Sequence, residues 1–216
     1  LLNFIKISLL VSLLSIPGFI LIFKEPAILK STFDLNLSNT ILISSSIMSF
    51  YLIPFYFIRK LNFKNSFLKM KTINSSTIYF ILFLLIFTLF LNLFFNYNYK
   101  VGGGFFLKLS YLLLDNNYLF LLSSYAGFIF LFDFLKKDKN NLFLIMIFLL
   151  GFSAYMIFQK YFEPIFFMII LLMMNNNLIS DVVTKLKNVY FLYFYFLIYL
   201  IVAIVNDVFK ITRILI

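Results

Sequence analysis

Residues 40–58 read TILISSSIMSFYLIPFYFI, a stretch without a single charged side chain. A helix of this length crosses a hydrocarbon core of about 30 Å, so the stretch is typical of a transmembrane helix. Six further apolar stretches follow the same pattern, at about 4–23, 77–95, 118–135, 142–158, 162–174 and 189–206. They are continuous and do not alternate apolar with polar residues, which disfavours an outer-membrane barrel. We therefore expect an all-α fold, a polytopic transmembrane helix bundle of about seven spans.

The composition agrees with a membrane protein. Hydrophobic residues make up 63% of the chain and charged residues 12%, with a mean hydropathy of +1.04, whereas a soluble domain carries about 25% charged residues. The net charge of +10 would suggest nucleic acid in a soluble protein. Here the basic residues cluster between apolar stretches, so we expect a lipid bilayer and no nucleic acid as the partner.

The absence of Cys and His narrows the chemistry. It excludes disulfides, thiol nucleophiles, histidine-based acid–base pairs and the commonest zinc ligands. Catalysis would then use carboxylates, Lys, Arg, Tyr or amides. A divalent metal would be a hard ion held by carboxylates and phosphate; no cofactor and no metal-binding residue is predicted.

Positive charges predict the orientation. Dense basic clusters follow the second and fourth spans, at Arg59, Lys60, Lys64, Lys69 and Lys71, and at Lys136, Lys137 and Lys139. Such clusters stay in the cytoplasm, which puts loops 24–39, 96–117 and 159–161 on the extracytoplasmic side. We expect an integral, multi-pass protein of a bacterial inner membrane or of the endoplasmic reticulum membrane.

The chain begins at Leu1, and residues 1–23 lack a clear signal-peptide cleavage site. We expect residues 1–216 to form a single transmembrane helical domain, a fragment of a longer chain that lacks its N-terminal part. Residues 207–216 are expected to continue as an eighth helix.

The longest polar interruption in the middle of the chain is Tyr99–Tyr118, YKVGGGFFLKLSYLLLDNNY. Its glycine triplet, Gly102–Gly104, fits no nucleotide-binding pattern and favours a turn or the start of an interfacial helix. Asp115 and Asn116 precede the fourth span. Either they cap that helix by accepting from free backbone N–H groups, or they hold a sugar hydroxyl or a cation at a cleft.

A second polar stretch, Gln159–Pro164, precedes the sixth span and contains Glu163. A carboxylate at the entry of an apolar helix is costly unless it is solvated or paired. Lys160, three residues earlier, is the candidate partner. Glu163 is therefore either a structural neighbour of the helix N-terminus or part of a functional site.

Other polar side chains in the spans favour structural roles. Asp133 lies three residues before Lys136 and four before Lys137, so we expect an ion pair at helical spacing. Ser44–Ser46 are expected to bond to carbonyl groups of their own helix or to pack between helices.

Two segments, in this order, resemble a known family. Residues 111–116, YLLLDN, resemble the Y-L-L-A-D-N segment of the dolichyl-phosphate-glucose α-1,2-glucosyltransferases. Residues 159–163, QKYFE, followed by Phe166 and Phe167, resemble that family's later Q-K-x-x-E-x-R-Y-F segment. The resemblance implies the C-terminal part of a membrane glycosyltransferase of the GT-C class, whose main catalytic base would precede Leu1. It also implies five substrate-binding residues: Asp115, Asn116, Gln159, Lys160 and Glu163.

The function that this resemblance implies is sugar transfer on the extracytoplasmic side. The donor would be a polyprenyl-phosphate-linked sugar, and the acceptor a lipid-linked or cell-surface glycan. The alternative is a multispan transporter or flippase, or a polysaccharide-polymerase-like membrane protein. Paired broken helices or an acid in the middle of a span would favour transport. The first hypothesis requires the Asp115–Asn116 and Lys160–Glu163 segments to meet at the outer end of the bundle.

Overall fold

The computed structural model describes residues 20, 36–62, 75–98, 102–138, 140–151, 156–173, 182 and 184–214. Within these ranges the chain forms seven α-helices and no strand. They are α1 Leu37–Asn62, α2 Ser75–Leu93, α3 Gly104–Leu114, α4 Tyr118–Lys137, α5 Asn141–Leu150, α6 Gln159–Phe167 and α7 Leu186–Ile214, and a π-helical turn, Met168–Met173, continues α6. The predicted all-α fold is confirmed.

Three segments are long and apolar enough to cross a membrane: Leu37–Arg59, Tyr118–Lys136 and Leu186–Ile204. Shorter apolar segments cover Thr77–Leu93, Gly104–Leu114 and Asn141–Leu150. Lengths of 19 to 23 residues in the three longer segments match the thickness of a bilayer core. The chain is a membrane protein on this evidence.

Two predicted boundaries differ from the structure. The span predicted at 142–158 is a helix only to Leu150, and Gly151 follows as its C-cap residue, donating its N–H to the Ile147 carbonyl at 2.8 Å. Residues 207–214 form no separate helix, since α7 continues unbroken to Ile214. The predicted span 4–23 lies outside the described residues, apart from Ile20.

The centre of the bundle is α1, whose membrane-length segment is 78% buried. It lies parallel to α4 through small residues. The Ser46 and Ser123 hydroxyls are 2.7 Å apart, and Ser124 Oγ donates to the Leu42 carbonyl at 2.9 Å. Small side chains let two backbones approach closely and form hydrogen bonds between helices. The predicted packing role of the serines is confirmed at Ser46.

Asparagines join one end of the bundle, which we call the asparagine end: Asn36, Asn39, Asn92, Asn96 and Asn117. Asn39 exchanges two hydrogen bonds of 2.9 Å with the backbone of Asn96, and Asn117 donates to Asn92 at 2.8 Å. These contacts bring together the start of α1, the end of α2 and the start of α4. Helix α2 is therefore antiparallel to both α1 and α4.

The opposite end, which we call the basic end, carries Arg59 and Lys136. Asp133 of α4 accepts a hydrogen bond of 2.9 Å from the Tyr56 hydroxyl and lies 3.6 Å from Arg59 of α1. The predicted pairing of Asp133 with its own helix is therefore wrong for Lys136, which instead donates to Thr77 of α2 at 3.3 Å. The parallel packing of α1 and α4 brings Arg59 within ion-pair distance of Asp133.

Helices α3, α5 and α6 have 11, 10 and 9 residues, less than half the length of the 26-residue α1, and we call them the half-length helices. Gly104, at the start of α3, faces the Ile47 side chain, while Ser110 near its end bonds to the Asn116 carbonyl at 2.7 Å. Phe148 of α5 packs against Phe162 of α6, with ring centroids 5.3 Å apart. The loops that start α3 and α6 thus come together beside the middle of α1. We call them the glycine tip (Gly102–Gly104) and the glutamine tip (Ile157–Gln159).

Candidate functional site

The glycine tip needs glycine for two physical reasons. Its three residues have φ angles of 75°, 79° and 80°, a left-handed region that favours glycine. A Cβ on Gly102 would also lie 2.6 Å from both the Ile157 carbonyl oxygen and the Tyr97 hydroxyl. The predicted turn at Gly102–Gly104 is confirmed, and it is buried inside the bundle.

Three hydrogen bonds, each 2.8 Å long, join the glycine tip, the glutamine tip and Tyr97 at one junction. The Gly103 N–H donates to the Ile157 carbonyl, the Ile157 N–H to the Tyr97 hydroxyl, and the Phe105 N–H to Gln159 Oε1. Backbone N–H groups at the start of a helix have no partner within it. The Gln159 side chain and the Ile157 carbonyl therefore satisfy donors that would otherwise be buried without a partner.

A polar side-chain cluster lies beside this junction. Tyr51 of α1 donates to Glu163 Oε1 at 2.7 Å, and Gln159 Nε2 donates to the Tyr51 hydroxyl at 3.3 Å. Tyr51 lies about 21 Å along α1 from Leu37, at 1.5 Å per residue. Gln159 and Glu163 are thus near the middle of α1, and the prediction that 159–161 is a loop at the end of the bundle is wrong.

The position of the Glu163 carboxylate near the middle of α1 favours a functional role. A charged group at the centre of a bilayer costs about 2.5–3.5 kcal/mol on insertion scales, and such groups usually have a function. Glu163 is half-buried and the neighbouring Gln159 is 8% exposed. The Tyr51 hydrogen bond offsets part of the desolvation cost of Glu163 Oε1.

Aromatic rings surround the cluster on the side of α6 and α7. The Tyr51 ring lies 4.8 Å from Phe166, 6.2 Å from Phe167 and 6.1 Å from Phe196, measured between centroids. Phe167 and Met168 are 39% and 57% exposed on the flank of the bundle. The flank of α6 next to Glu163 therefore carries exposed apolar side chains.

Lys160 does not pair with Glu163. Its ammonium group lies 5.6 Å from the Phe158 ring centroid and 5.2 Å from that of Tyr161, and within the described side chains the ion pair at Asp133 is the one formed. Cation–π contacts of this kind hold an exposed ammonium group weakly. The predicted pairing is wrong, and the Lys160 charge faces outward from α6.

Asp115 and Asn116 lie at the other end of α3 from Gln159. Asp115 is exposed, has φ 51° and ends α3 by donating its N–H to the Tyr111 carbonyl at 3.2 Å. The N-cap residue of α4 is Asn117, so the predicted N-cap role of Asp115 and Asn116 is wrong, although Asn116 Oδ1 accepts from the Tyr118 N–H at 3.1 Å. An 11-residue α3 spans about 16 Å, so the structure does not bring the two predicted segments together.

The structure thus brings Gln159 and Glu163 into one cluster and adds residues that sequence reasoning missed. Tyr51 and Tyr97 are two of the 14 tyrosines in the chain, so residue type alone does not single them out. The third added group, the Phe105 N–H, belongs to the backbone. For Tyr51 the available signal was a hydroxyl in the middle of an uncharged span; Tyr97 offered none. Comparison of the chain with known protein families, curated proteins and solved structures gives no match, so its function is inferred from this site.

Proposed function

We propose that this chain is part of an integral, multi-pass membrane glycosyltransferase that uses a polyprenyl-phosphate-linked sugar. The proposal rests on the Glu163 carboxylate, which is held by Tyr51 near the middle of α1 and lies on α6 with the exposed apolar side chain of Phe167. The resemblance of residues 111–116 and 159–163 to the dolichyl-phosphate-glucose glucosyltransferases gives the substrate class. The acceptor is a lipid-linked or cell-surface glycan.

The exposed apolar surface on this flank favours a substrate that arrives through the bilayer. Phe167 and Met168 expose apolar surface beside the carboxylate, which suits a polyprenyl chain. A water-soluble sugar nucleotide would have no apolar part to lie against these side chains. The lipid-linked donor matches this polarity, with its hydrocarbon toward lipid and its sugar toward Glu163.

Different charged and polar residues contact the sugar and the phosphate of the donor, and the acceptor. Glu163 accepts hydrogen bonds from sugar hydroxyls. Lys160, about one helical turn before Glu163, offers its positive charge from the outer side of α6 to the phosphate as it leaves. Asp115 and Asn116 lie about one α3 length away (~16 Å), so the expected meeting of the two segments is not formed. The proposal therefore rests on Glu163 and assigns Asp115 and Asn116 only to the acceptor, at the asparagine end.

The reaction is a substitution at the anomeric carbon of the donor. The acceptor hydroxyl oxygen forms the new bond to that carbon, and the bond between the carbon and the phosphate oxygen breaks. Polyprenyl phosphate leaves with the bonding electron pair, and an enzyme carboxylate takes the hydroxyl proton as general base.

We propose that the basic end lies in the cytoplasm of a bacterial cell, or on the cytoplasmic side of the endoplasmic reticulum. Arg59 and Lys136 follow the positive-inside tendency at this end. The asparagine end, with Asp115, is then extracytoplasmic, where lipid-phosphate-linked sugars are used.

The test is sugar transfer by the full-length protein in liposomes, with polyprenyl-phosphate-linked hexoses as donors. Glu163→Gln keeps an acceptor for Tyr51 and removes the charge, and we expect it to lower transfer at least about 100-fold, on the scale of a lost charged contact in a transition state. Leu122→Ala, on the exposed face of α4, serves as the control. Transfer at the wild-type rate in Glu163→Gln would refute the assignment of Glu163.

Transport of the lipid-linked sugar is the second candidate, because one observation favours it. The N-termini of the half-length helices α3 and α6 meet beside the middle of α1, joined by the Gly103–Ile157 hydrogen bond. Transporters commonly build substrate sites from half-helices that meet near the midplane. Liposomes that carry the labelled donor distinguish the two: movement of the donor between leaflets without a new glycan product would establish transport.

A further inference from the structure

The hydrogen bonds that lead to Glu163 form a chain with a fixed direction. We infer that Gln159 and Tyr51 are positioning residues that occupy Glu163 Oε1 and leave Oε2 as the single carboxylate atom that binds the ligand, as an acceptor for a hydroxyl group. The inference deepens the proposed function and rests on it for the identification of that hydroxyl as a sugar hydroxyl. The hydrogen-bond chain itself follows from the structure alone.

The direction starts at a group that can only donate. The Phe105 backbone N–H lies 2.8 Å from the amide of Gln159, so the amide oxygen must face it. The amide nitrogen then faces the Tyr51 hydroxyl at 3.3 Å and donates to it. A hydroxyl has one proton, and with its oxygen accepting from Gln159 the proton of Tyr51 points to Glu163 at 2.7 Å.

This direction decides what Glu163 offers to a ligand. Oε1 accepts the hydrogen bond from Tyr51 and is occupied by it. Among the described side chains, no other group donates a hydrogen bond to Glu163, and Tyr199, although close enough to interact electrostatically, forms none with it. Oε2 is thus free to accept from a hydroxyl, and its negative charge repels a phosphate. The sugar of the donor, and not its phosphate, meets Glu163.

Two variants break the chain at different points, and a third is a matched control. Tyr51→Phe removes the donated proton. Gln159→Glu keeps an acceptor for Phe105 but offers Tyr51 a second carboxylate, which draws its proton away from Glu163. Tyr195→Phe removes a hydroxyl from the same aromatic region, where Tyr195 donates to the Phe50 carbonyl at 3.0 Å and takes no part in the chain.

The measurement is labelling of Glu163 by dicyclohexylcarbodiimide at neutral pH, in the purified full-length protein, read by mass spectrometry. This apolar reagent couples to a carboxyl oxygen. When Tyr51 no longer occupies Oε1, both carboxyl oxygens of Glu163 are open to the reagent, so we expect labelling to rise about tenfold in Tyr51→Phe and in Gln159→Glu. Tyr195→Phe should label as the wild type does. A thermal-stability measurement in detergent selects folded samples of each variant.

The outcomes separate the two proposals. Equal labelling of Glu163 in the wild type, Tyr51→Phe and Gln159→Glu would refute the inferred hydrogen-bond chain. Equal increases in all three variants, Tyr195→Phe included, would overturn it too, because general loosening of the aromatic region would then explain the effect. If labelling responds as expected while the wild type transfers no sugar, the hydrogen-bond chain stands and the transferase proposal fails.

Discussion

The hydroxyl of Tyr51 donates a 2.7 Å hydrogen bond to Glu163, which lies 112 positions later in the chain. This contact joins the buried central helix α1 to a half-length helix on the flank of the bundle. Two acidic residues were predicted for the site, Asp115 and Glu163, and Glu163 is the one that forms a hydrogen bond with α1.

Removing the Glu163 charge should separate stability from function. The carboxylate pays a desolvation cost near the middle of α1, so Glu163→Gln is expected to leave thermal stability in detergent equal to or above that of the wild type, by up to about 2 kcal/mol. Sugar transfer should fall in the same protein. A variant that loses stability and activity together would point to a structural role for the carboxylate.

The glycine tip should not tolerate a side chain. Gly102→Ala places a Cβ 2.6 Å from the Ile157 carbonyl oxygen and forces a left-handed φ on alanine. We expect a loss of about 1–3 kcal/mol in stability, measured as heat-induced loss of monodisperse protein in detergent. Leu112→Ala, at a 76% exposed position of α3, is the control and should melt with the wild type. Equal melting of Gly102→Ala would contradict the buried junction.

Gly127 should be equally sensitive, because it sets the distance between α1 and α4. A Cβ at this position would lie 1.9 Å from the Ser45 carbonyl oxygen. Gly127→Ala should push the two helices apart at a cost of about 1–3 kcal/mol, whereas the smaller change Ser124→Ala removes one hydrogen bond, worth about 1 kcal/mol. The same thermal assay ranks the two, and the reverse order would exclude close packing at Gly127.

The partners of Asp133 at the basic end are testable by double-mutant cycles. Asp133 contacts Arg59 and the Tyr56 hydroxyl, so Asp133→Asn and Tyr56→Phe should be coupled by about 0.5–1.5 kcal/mol. Asp133→Asn and Lys136→Gln should be additive, since Lys136 bonds to Thr77 instead. Coupling of Asp133 to Lys136 with none to Tyr56 would restore the pairing within α4.

The orientation in the membrane can be tested directly because the chain has no native cysteine. A single cysteine in Asp115→Cys should react with a membrane-impermeant maleimide added to intact cells. In Asn140→Cys, at an exposed position between α4 and α5, labelling should require permeabilised cells. For the endoplasmic reticulum the pattern in sealed microsomes is reversed. Labelling of both cysteines from one side would refute the proposed crossing of α4.

Much of the helical architecture could be predicted from residue patterns. The apolar stretches at 40–58 and 118–135 lie within α1 and α4, because an uncharged stretch of that length has few alternatives to a helix in a bilayer. The half-length helices were less predictable. The predicted span 142–158 continued through Gly151 because the residues after it are apolar, and hydropathy alone does not show where a chain turns inside a bundle.

The candidate site was predictable only in part. Gln159 and Glu163 stood out as polar residues before an apolar span, and they do share one cluster. Lys160 was expected to pair with Glu163 because of its spacing, but side-chain direction on α6 turns its charge outward. Tyr51 carried a weak signal, since most tyrosines in such a chain face lipid or pack in the core.

The sequence by itself determined the long helices and the membrane character, because these depend on the length and the apolar content of continuous segments. Only the tertiary structure decided which polar groups meet. Tyr51, Phe105 and Gln159 come together through the turns of half-length helices, and Asp115 is separated from them by the length of α3. Hydrogen bonds between residues more than 50 positions apart depend on how helices pack, which no local pattern specifies.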